Sequence, residues 1–312
     1  MKSVWSKTSF ISHLVNQQMG TTQLPFSVAG LTQQGVAHMD DNINNQDAIG
    51  ILTEENFIAG IVCDGCTGTH AECKRGTSNN EVGAKLITYL SLKLLKKILY
   101  EGDLSGKTVI NEFSKGMIDA VNSMVSFFCE DEKEKEFFLA DFLTTTVICF
   151  FVTPNKYAVF HSGDGIIVLN QDIHFLDDDS GSYFVSSLLG NKHNSAIKVV
   201  AKGETDNEEI KEKSEPVQKF KIFAEGEADS LTNLFLATDG FSGFMENYRE
   251  MFFNFINAPV HHDKKGFNPN FLRDFRKQVV WDRQIKEGVE LKNWFKDDAS
   301  FIFLKKVEND NA

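Results

Sequence analysis

Four aspartates stand where a hydrolytic metal centre would need them. They are Asp47 in Asn45-Gln46-Asp47-Ala48, Asp64 in Val62-Cys63-Asp64-Gly65, Asp239 in Ala237-Thr238-Asp239-Gly240, and Asp297 in Lys296-Asp297-Asp298-Ala299. Asp64 and Asp239 each follow an apolar run, Ile58–Cys63 and Leu234–Ala237, which reads as a buried strand delivering a carboxylate at its end. Hard divalent cations take oxygen ligands of this kind. The glycine after each aspartate lets a backbone carbonyl come close without a Cβ in the way. Two carboxylates about 4 Å apart repel by about 4 kcal/mol at an effective dielectric of about 20. Several held together on rigid strands therefore need a cation or protons. An all-oxygen set points to Mg²⁺ or Mn²⁺ rather than zinc. Any one Asp-Gly also marks an ordinary turn, and a lone aspartate can cap a helix, so it is the ordered set that carries the reading.

The elements that must position these acids are legible as hydrophobic runs. Strands are expected at Val28–Leu31, Ala48–Leu52 and Phe57–Cys63, the last two joined by a turn at Glu54-Glu55-Asn56. Two helices should follow, one on Val82, Leu86, Leu90, Leu94 and Ile98, the other on Val109, Phe113, Met117, Val121, Met124 and Phe128. The charged run Glu130–Glu136 reads as a solvated turn closing the second helix. Strands resume at Thr144–Val152, Tyr157–His161 and Ile166–Leu169, with turns at Pro154-Asn155-Lys156 and Gly163-Asp164-Gly165. Residues 177–215 are polar and read as loop and edge. Phe220–Ala224 and Leu234–Ala237 continue the sheet, a helical region is expected from about Gly243 to Gly288, and Ser300–Leu304 is the last strand. Strands and helices come in blocks and do not alternate as a parallel βαβ array would. The expected class is α+β, with two antiparallel sheets packed as a sandwich and helix pairs on the outer faces.

Composition narrows the function classes. Of 312 residues, 42% are hydrophobic and 28 are phenylalanine, enough for a sizeable core. With five prolines and no Gly/Ser-rich or repetitive stretch, no linker is visible, so one domain over 26–308 is expected, preceded by an arm at 1–25. A net charge of −12 argues against nucleic acid, whose phosphates demand clustered Lys and Arg. No apolar run reaches the roughly 20 residues of a membrane span, and Met1–Lys7 leads into no signal-peptide core. Five cysteines without framework spacing fit a reducing cytoplasm.

The blocks, taken in order, resemble the metal-dependent protein phosphatase 2C family, in particular its bacterial branch. The resemblance runs from about Gly30 to Lys305 through Gly35–His38 with Asn45–Ala48, Val62–Cys66, Leu143–Val147, His161–Gly165, Ala237–Gly240 and Asp297–Ile302. It implies a phosphoprotein phosphatase that hydrolyses phosphoserine and phosphothreonine monoesters with two Mg²⁺ or Mn²⁺ ions. The substrate would be a phosphoprotein made by a serine/threonine kinase, with neither nucleic acid nor membrane as partner. Asp64, Asp239 and Asp297 would be the catalytic acids, and Asp47, Asp64, Gly65 (through its carbonyl), Asp239 and Asp297 the metal site. Asp64 would bridge the ions, Asp47 would hold a water of the second, and the bridging water would attack phosphorus.

Four departures from the family pattern qualify this. Gln46 stands where many members have glutamate, predicting a weaker second metal. Asn42 stands in place of a phosphate-contacting arginine; His38 could substitute or could be a buried structural histidine. Cys66 replaces a histidine that protonates the leaving group in some members, with His70 and His161 as other candidates. Gly243 replaces an aspartate, which counts against a third metal through Asp164. These losses motivate an alternative, a weak or silent relative that binds phosphoproteins or a regulatory partner. Cys63, Cys66, His70 and Cys73 have zinc-like spacing. Alternation along the strand should nevertheless turn Cys63 away from Asp64, which favours a buried thiol.

Overall fold

The computed structural model describes residues 22–35, 37–38, 43–66, 79–102, 104–176, 220–247, 249–257, 295 and 297–307. The strands are β1 Phe26–Gln33, β2 Ala48–Thr53, β3 Ile58–Gly65, β4 Thr145–Val152, β5 Lys156–Ser162, β6 Gly165–Leu169, β7 Asp172–Leu176, β8 Lys221–Glu227, β9 Asn233–Ala237 and β10 Ala299–Lys306. The helices are α1 Asn80–Tyr100, α2 Gly106–Phe128, α3 Glu132–Phe142, α4 Ser242–Asn247 and α5 Arg249–Asn257. One sheet runs β2-β3-β4-β5-β8 and the other β1-β10-β9-β6-β7, with antiparallel pairing throughout. The expected α+β sandwich is the observed fold.

Strand alternation divides the interior into layers. On β3, Ala59, Ile61 and Cys63 pack with Ile87, Leu95, Phe113 and Met117 of α1 and α2, whereas Ile58 and Val62 join Ile302, Leu304, Leu234 and Leu236 between the sheets. On the far side, Phe235, Phe301 and Phe303 meet Phe241, Phe244 and Phe252. Phe235 sits 5.0–5.2 Å, centroid to centroid, from the rings of Phe241, Phe252 and Phe301. Much of the phenylalanine excess therefore serves the outer cores. No helix among the described residues is long and apolar enough to cross a membrane.

Two local readings are corrected and one strand is added. The buried face of α1 is Ala84, Ile87, Thr88, Ser91, Leu92, Leu95, Ile98 and Leu99, while Val82 is exposed. A strict spacing of four drifts by about 40° per step on a helix of 3.6 residues per turn, so Val82 to Ile98 cannot share one face. The charged run after α2 is not a turn but the start of α3. Asp131 caps it, accepting the Glu134 N–H at 2.9 Å, and Glu134 reaches back to the Glu130 N–H at 2.7 Å. The edge strand β7 had no expectation, and most of its five residues are exposed. Of the 1–25 arm only 22–25 are described, and the loop expected at 177–215 and the helical region beyond Asn257 lie outside the described residues.

Candidate metal centre

Register brings the four aspartates to one end of the sandwich. Ala48 pairs with Cys63, so Asp47, just before β2, and Asp64, the penultimate residue of β3, emerge at the same sheet end. In the other sheet Ala237 pairs with Phe301, which places Asp239 just beyond β9 beside Asp297 just before β10. Thr238 ties the two sheets together. Its hydroxyl donates to Asp47 Oδ2 at 2.8 Å and accepts the Ser300 N–H at 3.0 Å.

The exit of β3 is held from its other flank. The Thr145 hydroxyl donates to the Asp64 carbonyl at 2.6 Å, and the Cys66 N–H donates to the Thr144 carbonyl at 2.9 Å. Asn80, wholly buried at the start of α1, donates to the Cys66 carbonyl and accepts the Thr144 N–H at 3.0 Å. Gly65 is pressed between chains: a Cβ there would lie 2.7 Å from the carbonyl oxygens of both Asn80 and Gln46. Backbone packing alone thus requires glycine at 65, whatever its carbonyl binds.

The electrostatics are those of crowded, mutually repelling acids. Burial, with the charges of Asp298 and Asp239, pushes Asp47 up from 3.8 to about 8, although hydrogen bonds from Thr238 and Ser300 oppose it. Asp64 is raised well above its ordinary value by burial first, then by Asp47, Asp239, Asp164 and Asp297. Asp239 is raised by burial, opposed by a hydrogen bond with Asp64, with Asp297 adding repulsion. Asp47 Oδ1 is buried and has no hydrogen-bond partner among the described residues. An orphaned buried carboxylate oxygen beside mutually repelling acids is the donor set a hard cation requires. The carboxylate chemistry suits divalent cations, while the described residues whose ligand atoms all lie within 4.8 Å of one another are His38, Asp297 and Asp298 and not the four aspartates.

The other candidates fall into place around this cluster. Cys63 lies in the helix-side core, away from Asp64, as strand alternation predicts. Burial, then Asp64, pushes the Cys66 thiol far up, so it stands neutral beside the acids. His161 Nδ1 lies 2.9 Å from the Gly163 carbonyl, and Asp164 is near enough to raise Asp64. Gly243 is exposed on α4. Asn42, His70 and Cys73 lie outside the described residues.

Asp298 is the acid that sequence reasoning left aside. It is buried, and it accepts the Gly35 N–H at 2.7 Å and the Gln46 N–H at 2.5 Å. It thereby locks the start of β10 to the segments flanking the first motif. Gly240 makes room for this turn, since a Cβ on it would lie 1.9 Å from the Asp298 carbonyl oxygen. Gly240→Ala is expected to destabilise the fold by about 1–3 kcal/mol through overpacking and to weaken Mn²⁺ binding. Denaturant unfolding with and without Mn²⁺ tests this; an unchanged midpoint in both would refute it.

Comparisons with known proteins agree with this fold. A family model described as Protein phosphatase 2C matches residues 34–271. Among solved structures, the serine/threonine phosphatase Stp1 from Staphylococcus aureus is similar at 17% identity with a TM-score of 0.53, over 93% of this chain and 98% of that one. A bacterial serine phosphatase carrying an arginine-to-alanine mutation is similar at 18% identity with a TM-score of 0.52, over 90% of this chain and 98% of that one. At these identities the likeness is one of fold. No curated protein matches the sequence.

Proposed function

This chain belongs to the protein phosphatase 2C family, and from that premise we propose that it is a metal-dependent phosphatase hydrolysing phosphoserine and phosphothreonine monoesters in proteins. The observation that carries the reading is the convergence of Asp47, Asp64, Asp239 and Asp297, with the buried Asp47 Oδ1 unpartnered and Asp47, Asp64 and Asp239 all raised. Asp64, Asp239 and Asp297 would hold one Mg²⁺ or Mn²⁺ ion. Asp64 and the Gly65 carbonyl, with Asp47 close by, would hold a second. When bound, such a pair supplies a nucleophile at neutral pH and neutralises the phosphoryl oxygens.

The chain's own groups prepare that site. Thr238 turns Asp47 so that Oδ2 is engaged and Oδ1 is left over. Thr145 and Asn80 fix the backbone at Asp64–Cys66, so the central carboxylate needs little reorganisation. A neutral Cys66 near Asp64 adds no further negative charge against the incoming phosphate.

The test is hydrolysis of p-nitrophenyl phosphate and of a phosphoserine peptide with Mn²⁺, with Mg²⁺ and with chelator. Turnover stimulated by Mn²⁺ and abolished by chelator is expected. The activated ester should be favoured, because its leaving group needs no proton and general-acid help is worth about 10²–10⁴-fold. Mn²⁺ bound at full occupancy without hydrolysis of either ester would overturn the assignment.

Gln46 offers a second check. It is buried beside Asp47, and its backbone N–H is spent on Asp298. Gln46→Glu adds one carboxylate to a cation site and is expected to lower the Mn²⁺ concentration for half-saturation about tenfold, roughly 1.4 kcal/mol. Titration calorimetry showing unchanged or weaker binding would remove Gln46 from the neighbourhood of the ions.

A further inference from the structure

His38 lies between β1 and β2, and its carbonyl accepts the Ile43 N–H at 2.8 Å. Its ring stands between two acids that differ in freedom: Nδ1, buried and without a hydrogen bond among the described residues, lies 2.8 Å from Asp298 Oδ2, and Nε2 lies 3.7 Å from Asp297 Oδ1, an ion-pair and not a hydrogen-bond distance. The three residues form a compact group, for one ligand atom from each of His38, Asp297 and Asp298 lies within 4.8 Å of the others. The Asp298 side chain is 3% exposed and anchored by two backbone N–H groups, so it is fixed. The Asp297 side chain is 64% exposed, and its Oδ1 takes the Asp298 N–H at 2.8 Å within its own turn. A carboxylate that must be immobilised to bind a cation loses rotamer freedom on binding. A neighbour that restricts it beforehand raises the affinity of the site.

We propose that His38 is a positioning residue for the cation site. Asp298 lies against the imidazole on its Nδ1 side, and the Nε2 edge lies against Asp297 Oδ1 and limits how far that carboxylate can swing. The chain Gly35/Gln46 backbone, Asp298, His38, Asp297 thus carries the rigidity of the sandwich out to its most exposed ligand. The inference rests on the reading of Asp297 as a metal ligand given above.

The experiment is a double-mutant cycle on Mn²⁺ affinity, read by titration calorimetry without substrate, so that catalysis is not the readout. His38→Ala is expected to weaken binding by about tenfold or more, within the range for residues that orient metal ligands. Asp297→Asn should weaken it further. In the Asp297→Asn background, His38→Ala should add less than about twofold, because a residue acting through Asp297 has nothing left to orient. His38→Gln, which keeps a donor on a side chain of similar reach, should recover much of the loss. It carries the comparison should His38→Ala not fold.

Unchanged affinity in both His38 variants, or losses that multiply independently in the double mutant, would overturn the proposal. An Asp64→Asn control separates the two readings. If that variant loses Mn²⁺ while the His38 variants do not, only the positioning role falls. If the unaltered protein binds no Mn²⁺, the metal centre falls and the positioning role with it.

Discussion

Asp64→Asn is expected to reduce Mn²⁺-dependent hydrolysis to background while leaving the fold intact. Asp64 is the acid on which the others converge: Asp47, Asp239, Asp164 and Asp297 all act on it. Removing its charge should dismantle both proposed ion positions. Metal assistance is worth several kcal/mol of transition-state stabilisation, and each 1.36 kcal/mol is about tenfold in rate, so a loss on the order of 10³-fold or more is expected. The fold should survive because the anchors of this segment are backbone ones, the Asp64 carbonyl held by Thr145 and the Cys66 carbonyl by Asn80. In chelator the variant should melt no lower than the unaltered protein, since an amide at 64 relieves repulsion that a carboxylate suffers. Turnover at the unaltered rate would refute the role of Asp64. A chelated variant far less stable than its parent would refute the account of the charge.

How much of this was legible depended on whether the signal was local. Asp64 and Asp239 announced themselves because each combines an apolar strand, a carboxylate and a glycine within a few residues, and the structure sets both strands in the sandwich. The family resemblance picks out Asp297 as a ligand but says nothing of what its neighbour Asp298 does. What separates them is burial against the Gly35 and Gln46 backbones, 263 and 252 residues away in the chain, and no local pattern encodes that. The same holds for Asn80 and Thr238, ordinary polar residues until β3, β4 and β10 arrive beside them. The start of α3 is written in the sequence. Asp131 and Glu134 have cap spacing, and Phe137, Phe138, Leu139 and Phe142 supply apolar residues that the preceding charges obscured. The buried face of α1 is harder to read, because leucines at every fourth position look periodic without matching the helix and because that face includes Thr88 and Ser91.

Without metal, the protein is expected to lose stability as pH rises from about 4 to about 8, the reverse of the usual behaviour of carboxylates paired with bases. Asp47 titrates near its ordinary 3.8 when unfolded and at about 8 when folded, because burial and neighbouring acids disfavour its charge. Between those values the folded state holds a proton that the unfolded state has released. Stability then falls with increasing pH across that window and levels off above it. Across that window each pH unit costs up to about 1.4 kcal/mol for a group shifted in this way. Asp64 and Asp239 are raised as well and act in the same direction. Cations bind the deprotonated acids, so Mn²⁺ should release protons on binding, bind more tightly as pH approaches 8 and abolish most of the loss. The measurement is the thermal midpoint at pH 5, 6, 7 and 8 in chelator and in saturating Mn²⁺, with calorimetric proton release from buffers of different ionisation enthalpy. A chelated protein that grows more stable over this range, or Mn²⁺ binding without proton release near pH 6, would mean that the acids do not share the buried, repelling site described here. The expected pattern would instead show that the fold accepts a standing electrostatic penalty at neutral pH, one that a divalent cation removes.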